Sequence, residues 1–451
     1  GEFDEAEERI FDSDKLKEKS AITLESTGLD YKDDLADLYI KIGRLSEAQE
    51  LLNESLREKV RQFGKDSRHL NKTLVLLGEL KLIKGEYTDA ETITRRANGI
   101  AIQNFGENST KIVPSNIVLA KIYTTIGDYR KADNLLTRSV KIQKDQLGPD
   151  HIDVGKAISE LALVKYYEDA PLAKVNELFG EAEKIIGEQL GSKNPTYADI
   201  LKNMAVAALA SDQYTTSFSY LDAAGRIWSE RVSRRNNINS AEIEALKGDI
   251  YYRQKDYNEA EKFYESAQKK FNKFFSEKHP EFIKVKSKLA KTYYMQGDWK
   301  KSQSEIEEVL LNYEEFIKEY FPALSEREKA KFWNTIKIDY EFYNTLIVTN
   351  NRNEKYIGEM FNNALLTKAL LLNTSIKMRQ RIMNSTDEEL KLLYEDWIQK
   401  KELLTAALSM SEEQMTELGI NFMQLNGAVE QLEKELSLKS EIFSKNLDNQ
   451  A

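Results

Sequence analysis

The chain of 451 residues contains no cysteine. That excludes disulfides, thiolate catalysis and cysteine-ligated metals together, and it fits a cytoplasmic protein that needs no covalent staples. Prolines number only 6 and glycines 20, too few for disordered linkers or a turn-rich β architecture. No run approaches the 18–20 or so uninterrupted apolar residues of a membrane span, so no membrane partner is expected. The start, Gly1-Glu2-Phe3-Asp4-Glu5, is acidic and unlike a signal peptide. A basic stripe is also missing. The net charge is −10, and an acidic surface repels phosphate, which argues against nucleic acid as a partner. The pair Arg234-Arg235 reads as solvated loop charge.

What is present is helix-forming sequence. Long stretches rich in Leu, Lys, Glu and Ala favour helix throughout, and 41% hydrophobic against 31% charged residues supplies both a core and a solvated surface. The expected class is all-α.

A repeat organises the first two thirds. Gly43-Arg44-Leu45-Ser46-Glu47-Ala48 recurs 42 residues on as Gly85-Glu86-Tyr87-Thr88-Asp89-Ala90, and again as Gly127-Asp128-Tyr129-Arg130-Lys131-Ala132. Degraded copies follow at Asp169-Ala170-Pro171, Asp212-Gln213-Tyr214 and Lys255-Asp256-Tyr257, and a sharp one at Gly297-Asp298-Trp299. Seven residues before each glycine position stands a small residue: Ala36, Gly78, Ala120, Ala162, Ala205, Gly248, Ala290. Tyr39, Tyr123, Tyr251 and Tyr293 follow three residues later in four of the copies. Small residues let paired helices approach, aromatics fill the remaining gap, and glycine permits the turn.

These residues resemble the tetratricopeptide signature, here with a period of 42 rather than the usual 34. The added eight residues are assigned to the second helix and its exit loop. The exits read Phe63-Gly64, Phe105-Gly106, Leu147-Gly148 and Leu190-Gly191, an apolar residue followed by a left-handed C-cap glycine. The longer form resembles the repeats of kinesin light chains and of bacterial tetratricopeptide proteins. The resemblance implies a right-handed superhelical solenoid of helical hairpins over residues 1–320. Gly1 through Ala6 matches the turn motif 42 residues before Gly43, so the chain reads as starting mid-repeat.

After about Tyr320 the period stops. Residues 321–451 read as a C-terminal helical linker or capping region. Ser325 and Glu328 are spaced as a capping box, as are Ser411 and Gln414. An aromatic helix carries Phe332, Trp333, Tyr340, Phe342 and Tyr343, an apolar resource outside the repeats. Amphipathic helices are expected near 387–408 and 422–446, the second with a stripe of Leu425, Val429, Leu432 and Leu436. Leu324 to Glu328, the Lys368 to Arg381 run and the helix with Asp387, Leu390, Tyr394 and Trp397 resemble the segment that joins the repeats of bacterial tetratricopeptide–CHAT proteins to a caspase-like protease domain. That resemblance implies a sensor region which binds a protein partner and positions or restrains such a protease. A stand-alone adaptor of kinesin-light-chain type is the alternative.

No catalytic, cofactor or metal site is expected within these residues. His69, His151 and His279 are scattered, with His151 and His279 in matching loops where they suit helix-start hydrogen bonding. No glycine-rich phosphate loop or serine-nucleophile motif appears, and the acids read as helix-surface charge. Function then falls to the inner groove, lined in such hairpins by the first helix. Counting from the turn glycine gives Asp37, Glu79, Lys121, Leu163, Val206, Asp249 and Lys291, with Ile40, Leu82, Thr124, Tyr166, Leu209, Tyr252 and Tyr294 three residues later. Lys121, Tyr166, Tyr252, Lys291 and Tyr294 are the candidate contacts for a protein or peptide partner, the chain's own C-terminal protease domain included. No asparagine occupies these offsets, unlike relatives that clamp chaperone C-termini.

Overall fold

The computed structural model describes residues 5–9, 30–231, 237–321, 324–350 and 354–448. Every regular element among them is helical, with no strand. Gly1 to Asp4, the Arg234-Arg235 pair and Ala451 lie outside the described residues, as do the side chains of residues 366–377 in the Lys368 to Arg381 run. Contacts divide the chain into two compact units, Gly1–Val309 and Leu310–Ala451.

Among the described residues the first unit is a solenoid of seven helical hairpins. The first helices are α1 (Asp30–Ile42), α3 (Asn71–Ile83), α5 (Val113–Ile126), α7 (Ile152–Tyr167), α9 (Pro195–Ala210), α11 (Ile238–Arg253) and α13 (Pro280–Gln296). Their partners are α2 (Leu45–Phe63), α4 (Tyr87–Phe105), α6 (Tyr129–Leu147), α8 (Leu172–Leu190), α10 (Tyr214–Arg231), α12 (Tyr257–Phe271) and α14 (Trp299–Tyr320), the last of which runs on into the second unit. α2, α4, α6 and α8 each hold 19 residues, against 13 in α1 and α3, which is where the extra length of the 42-residue repeat goes. Before α1, residues 5–9 are helical and Ala6 packs against the first hairpin's core.

The small residues sit where the helices touch. Ala36, Ala120, Ala162 and Ala290 are fully buried. At Gly248 an added Cβ would stand 2.5 Å from the Tyr264 ring. The within-hairpin turns need positive φ, and Gly43, Gly85, Gly127 and Gly297 supply it at 77–86°. The degraded copies keep the same conformation on Asp169 (φ 56°), Asp212 (φ 55°) and Lys255 (φ 64°), with Asp better suited to that region than Lys. The exit glycines differ from the left-handed cap expected of them. Gly64, Gly106, Gly148 and Gly191 pair φ of 78–89° with ψ of 155–166°, a region essentially restricted to glycine. Three residues beyond each exit stands the next cap: Ser67, Ser109, His151 and Asn194 each accept from the backbone N–H two residues on.

In the second unit, α15 (Glu326–Asn350), α16 (Glu354–Met383), α17 (Glu388–Ala407), the short α18 (Glu412–Glu417) and α19 (Phe422–Asp448) follow. Both capping boxes form. Ser325 Oγ accepts from Glu328 N while Ser325 N donates to Glu328 Oε2, each at 3.2 Å, and Ser411 and Gln414 do the same. Val429, Leu432 and Leu436 of α19 pack with Leu390 and Trp397 of α17 and Met378 and Ile382 of α16. The aromatic helix is core rather than surface: Phe332, Tyr340 and Tyr343 are at most 7% exposed, and Phe332 stacks on Phe316 at 5.0 Å.

Candidate functional site

Winding five hairpins around one axis brings their first helices onto a shared cavity of about 660 Å3. Repeats 1 to 3 line it with Asp37, Lys41, Val75, Glu79, Ile117, Val118 and Lys121. Repeats 4 and 5 line it with Lys156, Ser159, Glu160, Asp199, Ile200 and Asn203. The track shifts a turn or two toward the helix starts as it passes from repeat 3 to repeat 5. Successive first helices do not stack square, so equal offsets from the glycine do not stay on one line.

Charges alternate along this wall. Lys121 Nζ lies 3.2 Å from Glu160 and 3.9 Å from Glu79, bridging repeats 2, 3 and 4. Beyond the cavity lining, Lys202 pairs with Glu242 of repeat 6 and stands 4.0 Å from Asp199, while its Nζ donates to Asn239 Oδ1 at 3.2 Å. Glu160 and then Glu79 raise the Lys121 pKa over the opposing effect of burial. For Lys202, burial lowers the pKa, but Glu242 and Asp199 outweigh it. Asp199 is the acid with too little compensation. Removal from bulk water pushes it up to about 6, with Lys202 and Lys121 only partly opposing. Gln143 of α6 adds a buried amide whose Oε1 has no hydrogen-bond partner among the described residues.

A folded-state pKa above the unfolded value means the charged carboxylate destabilises the fold at neutral pH. Below the unfolded value of 3.8 the penalty vanishes; it builds as pH rises from there to about 6 and is complete above that. Replacing Asp199 with Asn should therefore raise Tm at pH 7.5, and the gain should shrink toward nothing by about pH 4, close to the ordinary carboxylate value of 3.8. Differential scanning calorimetry at both pH values checks this, and an equal shift at the two would contradict it. Side-chain exposure of 50% keeps the effect small.

Of the five candidate contacts, Lys121 reaches this cavity. Tyr166 instead packs against the core of repeats 4 and 5 and contacts Tyr167 at 5.2 Å between ring centroids. Tyr252 packs edge-on to Tyr257 at 5.5 Å, and burial raises its pKa. Lys291 and Tyr294 are half-buried on α13, outside the cavity lining. Glu160, Asp199 and Asn203 escaped the sequence reading because they stand nearer the helix start than the offsets used. Asn203 also places an asparagine in the groove, where those offsets found none. His151 and His279 each cap the following helix, with Nδ1 accepting from Asp153 N at 3.1 Å and Glu281 N at 3.2 Å. Among the described residues no group of His, Asp and Glu is placed to hold a metal, and no helix is long and apolar enough to cross a membrane.

The repeats match known families. Residues 196–269 and 239–315 match one tetratricopeptide-repeat model, and residues 113–146 match a second. No curated protein matches the chain. Among solved structures, a Rap protein complexed with competence and sporulation factor superposes with a TM-score of 0.52, at 12% identity over 91% of this chain and 99% of that one. NprR in complex with its cognate peptide NprX gives 0.49, at 12% identity over 72% and 89%. A putative kinesin light chain from Podosopora anserina gives 0.35, at 21% identity over 45% and 95%. The chain carries tetratricopeptide repeats in a helical solenoid, the fold of protein-interaction scaffolds.

Proposed function

We propose that the cavity of repeats 1 to 5 binds an extended segment of a protein partner. The observation that carries this is the wall itself: charges alternating from Glu79 through Lys121 to Glu160, broken by Val75, Ile117, Val118 and Ile200. Its volume of about 660 Å3 lies within the 300–1,000 Å3 or so of ligand pockets, so a peptide chain fits and a folded domain does not enter. Solenoids suit this task because every repeat adds one helix to the same face. The Rap protein that shares the fold was solved in complex with a factor, a precedent for the architecture. Lys121 anchors the segment at the cavity, and Tyr166, Tyr252, Lys291 and Tyr294 extend the contact beyond it. The resemblance of residues 324–397 to a protease linker makes a caspase-like CHAT domain the partner of first choice, restrained through a peptide segment of its own.

Random-peptide display on the immobilised chain tests the reading. Enriched peptides should lose at least ten-fold in affinity with Lys121→Ala or Glu160→Gln, about 1.4 kcal/mol, with the helical fold retained by circular dichroism. Peptides that bind both variants as tightly as the parent chain would place recognition elsewhere. Co-expression with a CHAT domain then asks whether the same variants release it.

A further inference from the structure

The first unit closes on itself. Repeats at its two ends, far apart in sequence, meet along a seam. His279 Nε2 lies 2.9 Å from the carbonyl oxygen of Ile83, 196 residues away. Because Nδ1 accepts from Glu281 N, Nε2 carries the proton and donates to Ile83. The His279 ring stacks on Phe275 with centroids 3.6 Å apart and planes 6° from parallel. Phe275 and Ile238 pack against the core of the first hairpin, and Ile42 packs against the core of repeats 5 and 6.

The turn glycines record the same contact. A Cβ on Gly85 would stand 2.7 Å from Pro280 Cδ, and one on Gly43 would stand 2.8 Å from Phe274 Cε1. Gly297 fills the equivalent turn of repeat 7 at φ 86° with nothing within 4 Å. Beyond these, Lys284 acts electrostatically on Tyr87, Tyr129 and Tyr167 at the starts or ends of helices in repeats 2 to 4.

Departures from the repeat pattern fall on this seam. The apolar exit residue is 36–39% exposed as Phe105, Leu147 and Leu190, whereas the matching Phe275 is packed. Ser276 replaces the exit glycine. His279 and His151 hold the same cap position, yet His279 is 7% exposed and the His151 side chain 39%.

We propose that this seam is a latch. It holds repeats 1 and 2 against repeats 6 and 7, and by keeping the turn tightly wound it assembles the five-hairpin cavity. Adjacent hairpins alone set a range of superhelical pitch, since each contacts only its neighbours; the seam selects the closed member. The link to ligand binding rests on the function proposed above, but the latch itself does not, and it is testable with no ligand present.

A chain free of cysteine allows clean labelling. Spin labels on Asp89→Cys and Glu277→Cys, both at exposed positions flanking the seam, read its closure by pulsed electron resonance. The parent should show one short distance. His279→Asn keeps the cap, because Asn194 and Asn237 cap the equivalent helices, while removing the ring. Combined with Phe274→Ala it should at least halve the short-distance population, and His151→Asn should leave it intact. Gly85→Ala and Gly297→Ala share the backbone strain of a positive φ, so both lower Tm, but only Gly85→Ala should open the seam. A short distance that survives in the double variant and in Gly85→Ala overturns the latch, as does a parent chain without it or a His151→Asn that opens equally.

Discussion

Lys59→Met should cost about 3–5 kcal/mol, the usual consequence of stranding one half of a buried ion pair. Lys59 is 1% exposed and Asp33 is completely buried. The ammonium donates to Asp33 Oδ2 at 2.8 Å, to Asp30 Oδ1 at 2.8 Å and to Thr73 Oγ1 at 3.2 Å. Asp33 also accepts from Ser55 at 2.7 Å and Thr73 at 2.8 Å. The two hydroxyls soften the loss but carry no charge to neutralise the carboxylate. Because the cluster ties α1 and α2 to α3, the damage should be local first. Hydrogen exchange should show α1 and α2 losing protection well before α9. Asp33→Leu with Lys59→Met removes both charges and should recover more than half of the loss. A Lys59→Met chain that melts within 0.5 kcal/mol or so of the parent would mean the pair contributes little beyond what solvation would.

That cluster also marks where sequence reading stops. Asp33 and Lys59 stand among many charged residues on helices and read as surface, as does Lys329, which is 3% exposed. Only packing shows that Lys434 meets Glu328 at 2.7 Å and Arg327 meets Glu430 at 3.0 Å. The hairpins themselves were legible because their signals are local: a small residue, an aromatic three residues on, a turn glycine, all within one helix and its exit. The degraded turns at Asp169, Asp212 and Lys255 kept their positive φ although their glycines are gone, since the hairpin on either side dictates the turn. Periodicity could not reveal which helical turn faces the cavity, since that depends on superhelical pitch. It gave no sign of the seam either, where Ile83 meets His279, apart from the Ser276 that breaks the exit motif.

Gly248→Ala should destabilise the sixth hairpin by about 1–3 kcal/mol through overpacking, even though alanine is intrinsically better in a helix by up to about 1 kcal/mol. The new methyl would stand 2.5 Å from Tyr264 Cε1 and 2.6 Å from Cδ1. The ring has nowhere to go. It is 1% exposed, and its hydroxyl donates to Asp249 Oδ1 at 2.7 Å. Elsewhere the same contact uses another pairing: Ala36 with Leu52 in the first hairpin and Ala205 with Leu221 in the fifth, all at most 2% exposed. In each hairpin the two positions lie 16 residues apart, so glycine here is the partner that a tyrosine demands. Gly248→Ala with Tyr264→Leu restores the commoner pair and should recover much of the stability, less the lost Asp249 hydrogen bond of about 1 kcal/mol. A double-mutant cycle by chemical denaturation measures the coupling, expected to be stabilising and at least 1 kcal/mol or so for residues in contact. Additive effects would show that Tyr264 yields to the methyl, and that the small position in repeat 6 reflects helix approach alone rather than a matched pair.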